Sequence, residues 1–256
     1  MTIKVFKPAL IGLLLCVFCS TITKAQVAIL GAMDKEITDL KSQMSISDST
    51  LIAGQWFYQG TIADKPIILT KSGVGKVNAA LTATLLLDHF KAESLWFTGI
   101  AGAANPHYKL LDVVVSESLL QHDFDARPFD AQPALVPSSD KNGYFHADPQ
   151  LVTQAFRAAQ QVVGKAHAHC GIIVTGDQFI ADHQKVEQLR KDFRADAIEM
   201  EGAAVAQVAH RLGKPFVIIR SISDQADGEA EMTYPQMAKN AAAHAMKIIV
   251  RMLEQK

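Results

Sequence analysis

The feature that most constrains the fold is an alternation of short apolar runs with amphipathic stretches along most of the chain. Runs such as QVAILGAM (26–33), SLWFTGIAGAA (94–104) and KPFVIIRSISD (214–224) have the composition of buried strands. GVGKVNAALTATLLLDHF (73–90) instead repeats its apolar residues at helical spacing. Strands that alternate with helices are typical of an α/β fold, in which helices cover both faces of a mixed sheet. We therefore predict one α/β domain over residues 26–256.

The other predicted elements fit the same alternation. A helix follows the first strand and has acidic residues in its first turn, where the helix dipole favours them. The remaining predictions are a hairpin (55–62 and 65–73), a strand (110–123), a long surface loop (124–147), a helix (148–164), a strand (169–180), a strand followed by a helix (195–213), and a closing helix (235–255).

Composition limits the classes of function. The chain has 256 residues, of which 49% are hydrophobic and 20% are charged, which suits a globular domain with a sizeable core. The formal net charge of −1 gives no indication of a nucleic-acid partner. Two of the three cysteines lie in the first 25 residues, so a chain without that segment keeps only Cys170 and forms no internal disulfide.

The first 25 residues have the organisation of a secretory signal peptide. MTIKVFK carries two lysines, a short apolar stretch follows, and the small residues Thr23 and Ala25 precede Gln26. The apolar stretch is too short to span a bilayer comfortably. We predict cleavage after Ala25 and export of the domain to the periplasm, with no membrane association afterwards. An uncleaved anchor and a buried first strand are the alternatives.

Polar and glycine-rich segments follow six of the predicted strands. These segments are GAMDKE, SGVG, TGIAG, TGDQF, EMEG and SISD. In open α/β sheets, ligands bind beyond the carboxyl ends of the strands. Ordinary turn chemistry explains the glycines but not the carboxylates Glu36, Glu199, Glu201 and Asp224. The pattern therefore predicts one ligand site at this edge of the sheet.

These segments, in this order, resemble the nucleoside phosphorylase/hydrolase superfamily, and within it the 5′-methylthioadenosine/S-adenosylhomocysteine nucleosidases. AILGAMDKEI, LTKSGVGKVNAALTATLLL, FTGIAGAA, DVVVSE, QHDFD, TGDQFI, AIEMEGAAVAQVA and PFVIIRSISDQAD carry the resemblance. It implies a three-layer α/β/α single domain with a twisted mixed sheet, and a homodimer. It also implies hydrolysis of the N-glycosidic bond of 5′-thio-substituted adenosines, 5′-deoxyadenosine being a further candidate substrate, without a metal or an organic cofactor.

The resemblance also implies roles for the acidic residues. Asp224 would protonate adenine N7, with Ser223 orienting its carboxyl group, and burial is expected to keep the acid protonated. Glu36 would activate the attacking water. Glu201 would grip the ribose 2′- and 3′-hydroxyls, and Glu199 would lie near the sugar. From the residues alone, Asp224 could instead cap a turn, and Glu36 could be a surface acid at a helix start.

Other residues are assigned to substrate binding by the same resemblance. Phe179 would stack on the purine, while the backbone of Ile180 would read its edge. A Phe at a strand end is otherwise often a core residue. The remaining binding residues are Met33, Ile100, Ala101, Gly102, Met200 and Tyr234. Ile100, Gln121 and Tyr234 depart from the family pattern, which often has Ser, an aromatic residue and Phe there. The preferred 5′-substituent is therefore open.

Two other functions compete with hydrolysis. The superfamily also contains phosphorylases, which use phosphate instead of water and hold it with arginines. No arginine occurs between Gln26 and Ala126. Because a phosphate dianion is best held by a forked cation, this absence favours water, although Lys71 and Lys76 keep the alternative open. A non-catalytic nucleoside-binding protein would be expected to lack Glu36 and Asp224, and both are present.

Overall fold

The structure is a computed structural model that describes residues 26–129, 132–226 and 230–255, without side chains for 230–236. The predicted signal peptide lies outside the described residues. The strands are β1 (Val27–Gly31), β2 (Ser45–Ile52), β3 (Gln55–Ile62), β4 (Lys65–Lys71), β5 (Ser94–Ala103), β6 (Val113–Gln121), β7 (Phe145–His146), β8 (Ala168–Thr175), β9 (Ala197–Glu199) and β10 (Phe216–Asp224). The helices are α1 (Asp34–Gln43), α2 (Lys76–Thr84), α3 (Pro149–Val163), α4 (His183–Phe193), α5 (Gly202–Arg211) and α6 (Ala230–Glu254).

Local sequence explains where several helices begin and end. The Asp148 carboxylate accepts from the N–H groups of Gln150 and Leu151, and Pro149 takes the first position of α3. Both features are favourable at a helix start. Gly164 follows α3 at φ 87°, a left-handed conformation that costs glycine little. Asp182 caps α4 in the same way as Asp148 caps α3.

The strands form one mixed sheet that curls back on itself. β5 pairs in parallel with β1 and β10 and antiparallel with β9. β10 pairs with β6, β6 with β8, and β8 with β9, which closes a ring of five strands. β1, β4, β3 and β2 extend the sheet outward from β5. This curvature brings the carboxyl ends of β1, β5, β8, β9 and β10 together at one edge.

Helices cover both faces of the sheet. On one face, α2 and α5 pack against the sheet through alanines such as Ala79, Ala83 and Ala206. On the other, α1, α3 and α6 bury residues such as Leu40 and Ile249. The three-layer α/β/α prediction is confirmed. None of the helices within the described ranges combines the length and the hydrophobicity of a membrane-spanning segment.

The structure adds elements that the sequence did not predict. β2 and α4 were not predicted, and the predicted loop over 124–147 contains the short strand β7. The predicted helix over 73–90 ends as α2 at Thr84 and continues as a π-helical turn, Leu85–His89. The other predicted strands and helices are present, with ends shifted by a few residues at several of them.

Candidate active site

One pocket lies at the carboxyl ends of the strands and gathers residues from six separated segments. Eleven of the thirteen predicted site residues line it. The full lining is Ala32, Met33, Glu36, Val74, Ile100, Ala101, Gly102, Phe179, Ile198, Glu199, Met200, Glu201, Ser223 and Asp224. Four carboxylates therefore face one another in a single pocket. Among the described residues, no cluster of His, Cys, Asp and Glu has the arrangement of a metal site.

Glu36 is a buried carboxylate and not a surface acid. It is 2% exposed, and its Oε2 accepts from the N–H groups of Ala32 (2.6 Å) and Met33 (2.8 Å). Its Oε1 accepts from the N–H of Ile100 at 3.2 Å. Burial raises the pKa of Glu36, while Arg220 and the three N–H groups oppose that rise. A raised pKa suits a group that has to take up a proton.

Asp224 lies at the end of β10 and is also buried, at 2% exposed. The Ser223 hydroxyl donates to Asp224 Oδ2 at 2.8 Å, and the Ala226 N–H donates to Oδ1 at 2.9 Å. The bond from the Ala226 N–H is the turn-capping contact that the residues alone suggested. The bond from the Ser223 hydroxyl is the orienting contact implied by the resemblance. Asp224 therefore caps the turn after β10 while its carboxyl group lines the pocket.

Glu199 is occupied by protein groups. Its Oε2 accepts from the N–H groups of Gly202 (2.7 Å) and Glu201 (3.1 Å) and from Arg220 Nη2 (2.6 Å). Its Oε1 accepts from the Thr175 hydroxyl. With both oxygens engaged, Glu199 holds the start of α5 in place beside the pocket.

Glu201 has fewer contacts with the protein. Its Oε1 accepts from the Gly75 N–H at 2.8 Å, and its Oε2 lies 3.9 Å from Arg220 Nη2. Burial raises the pKa of Glu201 to about 8, and the negative charge of Glu199 adds to the rise. Hydrogen bonds from a ligand diol favour the ionised form and oppose this rise, so Glu201 can act as a carboxylate once a sugar is bound.

Sequence reasoning missed Arg220, a cation in the middle of β10 that is only 1% exposed. Its guanidinium group bonds Glu199 and lies 4.0 Å over the Phe97 ring. Its Nη1 has no hydrogen-bond partner among the described residues. A Cβ atom on Gly99 would lie 2.6 Å from this Nη1 and 2.9 Å from Glu36 Oε1. Both polar atoms therefore border the same small volume. An arginine inside the apolar run FVIIRSIS was the available signal.

The predicted base-binding residues lie at one side of the pocket. Phe179 is 49% exposed, so it is not a core residue. Ile180 does not line the main pocket but lines a small adjoining one, together with Phe179 and Asp224. Tyr234 lies in the first turns of α6, where side chains are outside the described part of the structure. Its place in the site stays a prediction.

Two departures from the family pattern have clear positions. Ile100 lines the pocket and packs with Met33 and Leu111 against α6, so this wall is apolar. Gln121 is buried away from the pocket lining and donates to Gln207 Oε1 at 2.8 Å. Val74, Ala32 and Ile198 line the pocket without having been predicted, because their positions depend on which distant strands pair.

Comparison with known proteins gives a consistent result. The family model of the phosphorylase superfamily matches residues 26–254. A 5′-methylthioadenosine/S-adenosylhomocysteine nucleosidase of Geobacillus kaustophilus (strain HTA426) is 41% identical over 229 residues, which cover 89% of this chain and 96% of that protein.

Solved structures of similar proteins carry ligands. The 5′-methylthioadenosine/S-adenosylhomocysteine nucleosidase from Neisseria meningitidis in complex with methylthio-immucillin-A matches with a TM-score of 0.85 at 36% identity, covering 90% of this chain and 99% of that one. The S-adenosylhomocysteine nucleosidase from Streptococcus pyogenes in complex with 5-methylthiotubericidin matches with a TM-score of 0.86 at 34% identity, covering 91% and 98%. The similarity thus spans the whole domain that holds the pocket.

Proposed function

Because the chain belongs to the phosphorylase superfamily, and within it to the 5′-methylthioadenosine/S-adenosylhomocysteine nucleosidases, we propose that it hydrolyses 5′-thio-substituted adenosines to adenine and the 5′-substituted ribose. The observation that carries this proposal is the convergence of Glu36, Glu201 and Asp224 on one pocket. Cleavage of an N-glycosidic bond needs an acid for the leaving base, an activated water and a hold on the sugar. The pocket has a candidate for each.

Asp224 is the proposed acid. Adenine leaves more readily when N7 is protonated, because the departing base is then neutral. The Asp224 carboxyl group is buried and lines the pocket, and Ser223 fixes its orientation. Phe179, on the same side of the pocket, supplies the ring on which the purine stacks.

Glu36 is the proposed base for water. Its Oε1 and Arg220 Nη1 border the same volume beside Gly99. A water molecule between them would donate to the carboxylate and accept from the guanidinium group, which would orient one lone pair for attack. Removal of the water proton by Glu36 then forms the hydroxyl group on the ribose C1′.

Glu201 is the proposed ribose ligand. Its Oε1 is held by the Gly75 N–H, and the carboxylate can accept from the 2′- and 3′-hydroxyls. Positive charge develops on the sugar as the glycosidic bond breaks, so a nearby carboxylate stabilises the transition state more than the ground state. Met200 and Met33 contribute apolar surface to the same pocket.

The charges in the pocket favour water over phosphate. The ionisable lining residues of the described pocket are all acidic: Glu36, Glu199, Glu201 and Asp224. Arg220, the nearby cation, is already paired with Glu199. A phosphate dianion entering this pocket would be repelled by the carboxylates without a free forked cation to hold it.

An adenine-release assay tests the proposal. Methylthioadenosine, adenosylhomocysteine, 5′-deoxyadenosine and adenosine are incubated with the protein in phosphate-free buffer, and adenine is quantified by chromatography. We expect release without phosphate, no 1-phosphate of the corresponding ribose or 5′-substituted ribose when phosphate is added, and a loss of at least about 100-fold in Asp224→Asn. A requirement for phosphate would instead establish a phosphorylase, and binding without turnover would establish a nucleoside-binding protein.

We also propose that the protein acts as a homodimer. Val74, in the turn before α2, and Val77 and Leu81, on α2, form an exposed apolar stripe, with Val77 80% exposed. Val74 also lines the pocket, so a second copy seated on this stripe would lie next to the substrate. A stripe of this kind is a common protein-binding surface.

The site of action is a separate proposal, supported by the signal-like first 25 residues. An exported enzyme would act on nucleosides outside the cytoplasm. Methylthioadenosine added to intact cells should then yield adenine in the medium. Adenine formation only after lysis would contradict export.

A further inference from the structure

An ion pair lies at the rim of the pocket, and the proposed mechanism does not use either of its residues. Lys76 is the first residue of α2, and its ammonium group lies 2.6 Å from Asp123 Oδ1. Both side chains are largely shielded from water, at 18% and 25% exposed. Asp123 follows β6 and does not line the pocket, so its position is not explained by contact with a nucleoside.

Asp123 and Asp177 join two loops that are far apart in sequence. Asp123 Oδ2 accepts from the Asp177 N–H at 2.9 Å, and Asp177 Oδ1 accepts from the Lys76 N–H at 2.8 Å. Together with the Lys76–Asp123 pair, these contacts form a closed ring of three residues. We call this ring, made of Lys76, Asp123 and Asp177, the rim clip.

Each arm of the rim clip leads directly to a pocket residue. Next to Lys76 in the chain, the Gly75 N–H donates to Glu201 Oε1 at 2.8 Å. Two residues after Asp177 comes Phe179, which lines the pocket on the base side. The clip therefore ties the ribose-side turn to the base-side loop. Gly75 adopts φ 95°, and a Cβ there would lie 3.2 Å from Asp177 Oδ1, so this turn favours glycine.

We propose that Asp123 and Lys76 are positioning residues that set the spacing between Glu201 and Phe179, and so govern how tightly the nucleoside is bound. This inference rests on the proposed function for its substrate. Neither side chain needs to touch the nucleoside. The clip acts because a ligand held at both its base and its ribose loses affinity when the two contacts are no longer fixed at one separation.

Kinetics of matched variants test the clip. Lys76→Met keeps the length of the side chain and removes its charge, and Asp123→Ala removes both acceptors. We expect each to raise KM for methylthioadenosine about tenfold, which corresponds to about 1.4 kcal/mol, with kcat within about twofold. The double variant should be no worse than the poorer single one, because both changes open the same ring. Lys76→Arg should recover part of the affinity.

Lys214→Met is the matched control. Lys214 forms an ion pair of similar length with Glu93, at 2.9 Å, away from the pocket lining. The KM of the Lys214→Met variant for methylthioadenosine should equal that of the wild type. If Lys76→Met and Asp123→Ala lower the melting temperature but leave KM within twofold, the clip is merely structural and the inference is wrong.

Hydrogen exchange separates this inference from the proposed function. Lys76→Met should speed amide exchange in residues 175–179, and Asp123→Ala should speed it in residues 74–77, whether or not the protein has activity. If the wild type releases no adenine but these exchange effects occur, the proposed function fails and the clip remains. If adenine is released and exchange in the opposite loop is unchanged, the clip is overturned.

Discussion

At the scale of single residues, one buried arginine organises the acidic pocket. Arg220 pairs with Glu199, lies 3.9 Å from Glu201, and lowers the pKa of Glu36 against the effect of burial. Buried carboxylates are costly unless a cation or hydrogen bonds compensate them. The sequence identified the carboxylates because they stand out in apolar surroundings. Arg220 stands out in the same way within its apolar strand, but its pairing with Glu199 could not be predicted, because Glu199 is contributed by a different strand.

Removal of Arg220 should destabilise the fold. Arg220→Met leaves Glu199 as an uncompensated buried charge, which should cost about 3–5 kcal/mol of the free energy of unfolding. The double variant Glu199→Gln/Arg220→Met should recover part of this loss, because no buried charge is left unpaired. Urea denaturation measures both. A single variant within 1 kcal/mol of the wild type would show that the pair does not stabilise the protein.

Glu201 should make the stability of the protein depend on pH. Its pKa is about 8 in the folded protein, above the ordinary value of 4.5. The folded state therefore holds a proton that the unfolded state releases, and this contribution to stability is lost as pH rises from about 4.5 through 8. Glu201→Gln lacks this loss. The free energy of unfolding of Glu201→Gln minus that of the wild type should therefore increase by roughly 2–5 kcal/mol between pH 5 and pH 9.

Denaturation at the two pH values checks this prediction, and a difference that does not change with pH would contradict it.

The same substitution should weaken catalysis. Loss of one electrostatic contact to the developing sugar cation commonly costs roughly 2–4 kcal/mol of transition-state stabilisation. A Glu201→Gln variant with an unchanged kcat/KM would remove Glu201 from the proposed mechanism.

At the scale of elements, the strands with long apolar runs were predicted, and the elements with few apolar residues in their sequence were missed. β1, β5 and β10 are buried along nearly their full length, so their sequences are continuous apolar runs. β2 is an edge strand with mostly exposed residues, and among the strands of the described ranges it pairs only with β3. α4 buries just Val186 and Leu189. A sparse apolar pattern of this kind is a weak signal for either type of element.

The backbone N–H groups that contact the pocket carboxylates could not be predicted for a related reason. The N–H of Ile100 reaches Glu36 because β5 lies beside β1, and the N–H of Gly75 reaches Glu201 across a large separation in sequence. Such contacts depend on strand pairing. A local pattern predicts that a strand exists but not which strand lies next to it.

Gly99 should be essential within β5. A Cβ at this position would lie 2.6 Å from Arg220 Nη1 and 2.9 Å from Glu36 Oε1, so it would press on both groups assigned to the attacking water. Arg220 cannot easily move, because Glu199 holds it. Gly99→Ala should therefore reduce kcat by about 100-fold or more while the protein still folds. Steady-state kinetics with circular dichroism checks this, and normal activity would place the water elsewhere.

At the scale of the whole molecule, the proposed homodimer has a matched test. Leu81, on the α2 stripe, and Leu212, at the end of α5, are both 43% exposed. Leu81→Asp should convert dimers to monomers, because a charge would be buried at the interface, whereas Leu212→Asp should leave the dimer intact. Sedimentation velocity distinguishes the two. A Leu81→Asp protein that stays dimeric would exclude this stripe as the interface.

The most direct measurement of the central claim is a crystal structure of Asp224→Asn with methylthioadenosine bound. We predict adenine N7 within about 3 Å of the side chain at position 224, the ribose hydroxyls at a similar distance from Glu201, and Glu36 facing C1′. A nucleoside bound in another cavity, or one with its ribose turned away from Glu201, would contradict the proposed roles of these three carboxyl groups.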